Sequence, residues 1–224
     1  MSINSRKRVA VVLCGSGYKD GSEIRESVAV LWALSQFPVD VQCFAPDAPQ
    51  ADVINCLTGK PAAKEKRNML VESARIARGK VVALDQLRAD DYDAIVLPGG
   101  FGAAKNLCDF ATKGVDAAVR PELQAVLSDF HAQAKPIGAI CIAPMVVALA
   151  FKGQGFELTL GAEGGAAQAA VALGHRHTVL RPDQALVDID HKIVTSPAYM
   201  YDDAPLHEVF EGIRKAVASL VAIA

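Results

Sequence analysis

The sequence predicts an α/β protein with a mostly parallel central sheet and helices on both of its faces. Three observations predict it. Short β-branched runs alternate with amphipathic stretches along nearly the whole chain. In the run Asp93 to Leu97 every position after the aspartate is apolar, as in strands covered on both faces. Several runs end in loops of unusual composition, and such sheets gather ligands beyond the carboxyl ends of their strands. At 224 residues and 51% hydrophobic content, there is ample material for one large domain spanning positions 1–224.

Taken in order, Val9 to Cys14 reads as the first strand, followed by a helix from about Ser22 to Gln36. Ile24, Val28, Leu31 and Trp32 recur there at helical spacing and are expected to face the sheet. Val39 to Ala45 is the second strand. The polar excursion Pro46 to Lys66 is longer than an ordinary connection, which fits an edge hairpin or a subunit contact. A helix Asn68 to Arg78 follows, with Met69, Leu70 and Ile76 facing inward. Asp93 to Leu97 is the central strand, broken by Pro98, Gly99 and Gly100. Pro121 opens a helix that runs to Ala134. Pro136 to Ile140 is the next strand and Ala143 to Phe151 the next helix. Strands at Glu157–Leu160, Ala185–Ile189 and Ile193–Ser196 and helices near Ala166–Leu173 and Leu206–Ala222 complete the pattern, with no internal repeat or domain linker.

Composition narrows the function classes. A formal net charge of -2 with dispersed Lys and Arg offers no basic stripe, so nucleic acid is not an expected partner. Met1 to Arg8 is polar and basic, and the apolar run after it is too short for the core of a signal peptide. No window approaches the roughly 18 apolar residues of a membrane span. A soluble cytoplasmic protein with no membrane partner is the expectation. The five cysteines lack any Cys-x-x-Cys pair or clustered Cys/His spacing, so neither a disulfide framework nor a metal site is expected.

Three loops carry unusual residues. Ala139-Ile140-Cys141-Ile142-Ala143-Pro144 sets a thiol between a β-like run and a helix, with small residues two positions away on either side, the spacing of a nucleophile elbow. The helix start would favour thiolate; the competing reading is a small buried core residue. Pro98 to Lys105 carries glycines at 99, 100 and 102, where the N–H of Gly100 together with that of Ile142 would make an oxyanion hole. The competing reading is a plain tight turn. Gly15 to Gly21 nearly matches the dinucleotide fingerprint, with Asp47 placed like a ribose-binding acid, but its glycine spacing is one residue too wide. No cofactor is expected. Glu23 and Glu26 stand one helical turn apart, so one can point at the cleft while the other meets water.

Together these residues resemble the ThiJ/PfpI superfamily and, within it, the ElbB group of isoprenoid-biosynthesis-like proteins and glyoxalases. The resemblance runs from about Val9 to Val221. It is carried by Asp20-Gly21-Ser22-Glu23-Ile24, Cys43-Phe44-Ala45-Pro46-Asp47, Arg67-Asn68, Glu72 to Ile76, Leu97 to Leu107, Cys141 to Pro144 and Ile193 to Met200. It implies a class I glutamine amidotransferase-like, flavodoxin-like fold and a homodimer. It matches Cys141 to the elbow cysteine, Gly100 and Ile142 to the backbone donors beside Gly99, and Glu26 to the glutamate that reaches the sulfur, with Glu23 as the alternative. Two departures stand out. Many relatives place histidine directly after the cysteine, where this chain has Ile142, and others place one about twenty residues later, where it has Gly161, Ala162 and Glu163. Glu163, His175 and His177 are therefore secondary candidates. The His-x-Glu pair of glutamine hydrolysis is absent, since His207 and Glu208 are adjacent. The resemblance implies either cofactor-independent conversion of a small dicarbonyl such as glyoxal to a hydroxy acid, or a redox-sensing, stress-response protein with a reactive cysteine.

Overall fold

The structure is a computed structural model and describes residues 6–224, so most of the polar opening Met1 to Arg8 lies outside the described residues. A seven-stranded sheet forms its centre, in the order β10-β11-β7-β6-β1-β2-β5. The strands are β1 (Lys7–Val12), β2 (Val39–Ala45), β5 (Val81–Ala83), β6 (Ala94–Leu97), β7 (Ile137–Ile140), β10 (Leu186–Asp188) and β11 (Ile193–Ser196). All pair in parallel except β10, which runs antiparallel to β11 at one edge. Two small pairs lie outside this sheet. One joins β3 (Ile54–Asn55) to β4 (Lys60–Pro61), the other β8 (Glu157–Leu158) to β9 (Arg176–His177). The helices are α1 (Ile24–Leu34), α2 (Met69–Ile76), α3 (Phe110–Lys113), α4 (Pro121–Ala132), α5 (Pro144–Ala150), α6 (Gly165–Ala172) and α7 (Leu206–Ile223).

Local chemistry accounts for the element ends. Asn68 caps α2 by accepting from Val71 N at 3.1 Å, and Pro121 starts α4, where its missing N–H costs no helical bond. The strands β1, β6, β7 and β11 are buried on both faces and supply the middle of one contiguous apolar core. Their register sets the site. Leu97 stands opposite Ala139 and Ser196 opposite Ile140, so β6, β7 and β11 release their chains side by side at one end of the sheet. The next strand in that row, β1, has parallel neighbours leading away on both sides, which is where a crevice opens in such sheets.

Two expectations need correction. Ile24, Val28 and Trp32 do not face the sheet: each is more than two-fifths exposed, and α1 buries Glu26, Ala29, Val30, Ala33 and Leu34 instead. Residues two apart on a helix lie about 200° apart, so burying Glu26 turns Ile24 outward. The small Ala29 and Ala33 then let the helix lie close to its neighbours. The strand expected at Glu157–Leu160 stops at Leu158 and pairs with β9, not with the central sheet. The long insert after β2 forms its own β3–β4 hairpin rather than an edge of that sheet. Sequence reading also passes over β5, three half-buried residues at the sheet edge next to β2.

Candidate active site

Cys141 follows β7 directly and holds φ at +61°, a left-handed conformation that costs a non-glycine residue on the order of 1–2 kcal/mol. The strain is held in place from two sides. Cys141 N donates to Ser196 O at 2.9 Å, and Ala143 N donates to Ile140 O at 3.0 Å to begin the turn into α5. This is the sharp strand-to-helix elbow that the small flanking residues predict.

The loop after β6 wraps the sulfur. A Cβ on Gly99 would fall on Cys141 Cβ and within 2.5 Å of Glu26 Oε2, so only glycine lets thiol and carboxyl meet there. Gly100 sits at φ +98°, and a Cβ there would fall on the backbone of Gly21, Ser22 and Glu23, a position open only to a residue without a side chain. The two loops are laced together by Glu23 N donating to Gly99 O (2.9 Å), Phe101 N to Tyr18 O (2.8 Å) and Gly102 N to Gly21 O (3.1 Å). The N–H groups of Gly100 and Ile142 lie against the sulfur and pull its pKa down. Two backbone N–H groups on one centre are the kind of arrangement that stabilises an oxyanion in general.

Glu26 is wholly buried on the first turn of α1. Its Oε1 accepts from Tyr199 N at 3.1 Å. Its Oε2 has no conventional hydrogen-bond partner; the Cys141 thiol and the Gly99 peptide lie close enough to stabilise its charge without meeting ordinary hydrogen-bond geometry. Burial, with the neighbouring charge of Glu23 adding to it, pushes the carboxyl up to about 8. Burial likewise, and then the charge of Glu26, raises the Cys141 thiol well above its ordinary value, against the pull of the two N–H groups. The thiolate expected from the helix start is thus overturned. At neutral pH the resting pair is a thiol beside a largely protonated carboxyl.

Glu23 lines the same cleft in a different role. Its Oε2 accepts from Glu26 N at 2.6 Å, capping α1, and burial raises its pKa. The other candidates do not converge. Glu163 is three-quarters exposed, and its Oε1 lies 3.6 Å from His177 Nδ1. His175 is buried, with Nε2 2.9 Å from Ala148 O. His207 lines a surface groove beside Trp32 and Phe210. None of the four borders the cleft of Cys141.

The glycine loop after β1 spends its donors internally. Gly15 N donates to Ser73 Oγ, Gly17 N to Ser22 O and Gly21 N to Gly17 O, while the buried carboxylate of Asp20 accepts from Ile54 N at 2.7 Å. The loop's backbone donors are thus taken, its Asp20 and the Glu23 cap are carboxylic, and Asp47 is engaged by Asn68 Nδ2 at 2.7 Å. Among the described residues no group of three or more His, Cys, Asp or Glu side chains is placed to hold a metal ion, and no helix is long and apolar enough to cross a membrane.

The cleft over Cys141 encloses about 590 Å³, within the range of small-molecule sites. Tyr18, Lys19 and Phe101 form one wall with Ile54 and Gly59 of the β3–β4 hairpin, and Tyr199 and Met200 form part of the other. Sequence reading missed the hairpin wall and Tyr199, although the stretch Ile193 to Met200 already stood out. A second depression of about 550 Å³ around Ser16 holds Arg67 and Arg75, each paired to a carboxylate at 2.9 Å, and is lined by no cysteine or histidine.

Fold and site together define a class I glutamine amidotransferase-like α/β protein with a cysteine at its elbow. The model of the DJ-1/PfpI family matches residues 62–198, and the chain belongs to that family. It is 47% identical over 225 residues to the rat ES1 protein homolog, mitochondrial, covering 96% of this chain and 84% of that one. It is 46% identical over 223 residues to the human glutamine amidotransferase-like class 1 domain-containing protein 3, mitochondrial, covering 96% and 82%. The crystal structure of an isoprenoid biosynthesis protein with amidotransferase-like domain from Ehrlichia chaffeensis superposes with a TM-score of 0.89 at 35% identity, covering 97% of this chain and 99% of that one. These relatives correct the cytoplasmic location expected from composition, because both curated proteins are named as mitochondrial.

Proposed function

We propose that the protein is a cofactor-independent, glyoxalase-type enzyme of the ElbB kind, in which Cys141 adds to a small dicarbonyl and Glu26 moves the proton. The observation that carries this reading is the unpartnered Glu26 Oε2 beside the elbow thiol and its two backbone donors. A carboxyl with a pKa of about 8 keeps an ionised fraction at neutral pH and is a far better base than an ordinary carboxylate.

With glyoxal the steps balance as follows. Sulfur bonds to one aldehyde carbon, and the thiol proton passes through Glu26 to the former carbonyl oxygen, held by the N–H groups of Gly100 and Ile142. Glu26 then takes the proton from the carbon bonded to sulfur, leaving an enediolate. It returns that proton to the neighbouring carbon while the hydroxyl proton on the sulfur-bearing carbon passes to the other oxygen, which gives the glycolyl thioester. Water cleaves the thioester, releasing glycolate and restoring the thiol. No histidine is required, in keeping with a cleft that none lines among the described residues.

The test is product detection with glyoxal or methylglyoxal. Hydroxy acid forms with the intact protein and not with Cys141→Ala. Equal yields from both would refute the reading. The same buried pair also supports a sensor reading, since a thiol held beside a carboxyl is a site for reversible oxidation; peroxide-dependent change at Cys141 without dicarbonyl turnover distinguishes the two. We further propose a homodimer in which Ile24, Val28 and Trp32, exposed on α1, meet a second copy together with Leu206 of α7, which lines a groove with Trp32.

A further inference from the structure

The cleft is far larger than a two-carbon dialdehyde fills, and its outer wall is not neutral. Two lysines face it, and they are not equivalent. Lys105 Nζ is spent: it donates to Asp52 Oδ2 at 2.7 Å and to Lys19 O at 3.1 Å, and its side chain is largely buried. Its bond to Lys19 O fixes the backbone from which the second lysine projects. The Lys19 ammonium has no carboxylate or carbonyl partner among the described residues. It lies 5.4 Å from the Tyr18 ring centroid and reaches toward Gly59 on the hairpin, where an added Cβ would stand 3.0 Å from its Nζ. The carboxyls in the same cleft are elsewhere engaged or outlying: Glu23 caps α1, and Asp202 is exposed beyond Met200.

We infer that the cleft selects carbonyl substrates carrying an anionic group, with the reacting carbon at Cys141 and the anion at Lys19 between the Tyr18 and Phe101 rings. This deepens the dicarbonyl reading and rests on it for the chemistry, though not for the charge preference. A partly buried ammonium hydrogen-bonded to a bound carboxylate is worth on the order of tenfold in discrimination. The aromatic walls accept the apolar stem that joins anion to carbonyl. The glycine at position 59 leaves the room that the lysine and its ligand need.

Two assays separate this inference from the reaction it builds on. In the first, a methylglyoxal whose methyl bears a carboxymethyl group is compared with the same compound as its primary amide. The acid-to-amide ratio of kcat/KM is expected to fall on the order of tenfold in Lys19→Gln. The second needs no turnover: Cys141 alkylation by iodoacetate and by iodoacetamide is followed by peptide mass spectrometry, and that ratio falls in the same direction in Lys19→Gln. Ratios unchanged in both assays overturn the inference. A fall in the alkylation ratio with neither dioxo compound consumed supports the anion site and defeats the dicarbonyl reaction. Turnover of both compounds with unchanged ratios keeps the reaction and removes the anion site.

Discussion

Replacing Glu26 by glutamine should make the fold progressively more stable than wild type as pH rises. The carboxyl ionises at about 4.5 when unperturbed and at about 8 in the folded protein, chiefly because it is buried. Below about pH 4.5 the folded and unfolded chains both hold this proton. Between the two values the unfolded chain releases it and the folded one does not, so stability is lost with rising pH and the loss is complete above about 8. A gap of about 3.5 pH units at about 1.4 kcal/mol each gives a total on the order of 5 kcal/mol, a large share of a typical domain's stability. Glu26→Gln keeps the acceptor for Tyr199 N and has nothing to ionise. Urea denaturation of both proteins at about pH 5, 7 and 9 isolates the effect, because other titrating groups cancel in the difference. The variant's stability relative to wild type should rise by several kcal/mol across that range. A difference constant to within about 1 kcal/mol would show that Glu26 is not held protonated and would remove the basis for its role as a strong base.

Alkylation should sort the cysteines by setting: exposed Cys56 reacts as an ordinary surface thiol, while Cys14, Cys43 and Cys108, pushed up by burial to about 12, 11 and 11, stay silent in the native state. Cys141 should gain reactivity as pH rises. In Glu26→Gln its alkylation profile should move to lower pH, since the carboxylate no longer opposes the thiolate; a profile that stays in place argues against contact between the two groups. Gly99→Ala forces a methyl onto Cys141 Cβ and Glu26 Oε2, and should cost about 1–3 kcal/mol in thermal or urea unfolding together with most of the turnover. Trp32→Asp should shift the protein from dimer to monomer in light scattering, and an unchanged mass removes the proposed contact face.

The parallel order of the sheet and the elbow were legible because each depends on local sequence. A run such as Ala94–Leu97 that is apolar at every position has few structural options, and the residues around Cys141 state their turn directly. The rotation of α1 was not legible. Its sequence offers two apolar stripes, one of Ile24, Val28 and Trp32 and one of Ala29, Val30 and Ala33, and periodicity favours the bulkier. The choice is made by a tertiary demand, the placing of Glu26 against the elbow, which hydrophobic patterning registers as a polar interruption. The hairpin wall was hidden for a similar reason. Its two-residue strands carry no recognisable alternation and are held by side chains distant in sequence, Asp20 on Ile54 N and Lys105 on Asp52.

The ionisation of the site shows why a motif and its chemistry must be read separately. An elbow at a helix start suggests thiolate, yet α5 is short and the sulfur lies in a wall of apolar residues with a carboxyl as its nearest titrating group. Burial disfavours charge on either partner, and a negative charge on one disfavours it on the other. The pair therefore carries at most one negative charge until a substrate arrives. In the proposed reaction, an electrophilic carbonyl at the Gly100 and Ile142 N–H groups would change that balance by giving the charge an oxygen on which to sit. On that proposal reactivity would depend on the ligand rather than on the resting thiol, and a small neutral oxidant would gain less from this site than a carbonyl that fits it, which is the argument for proposing catalysis ahead of sensing.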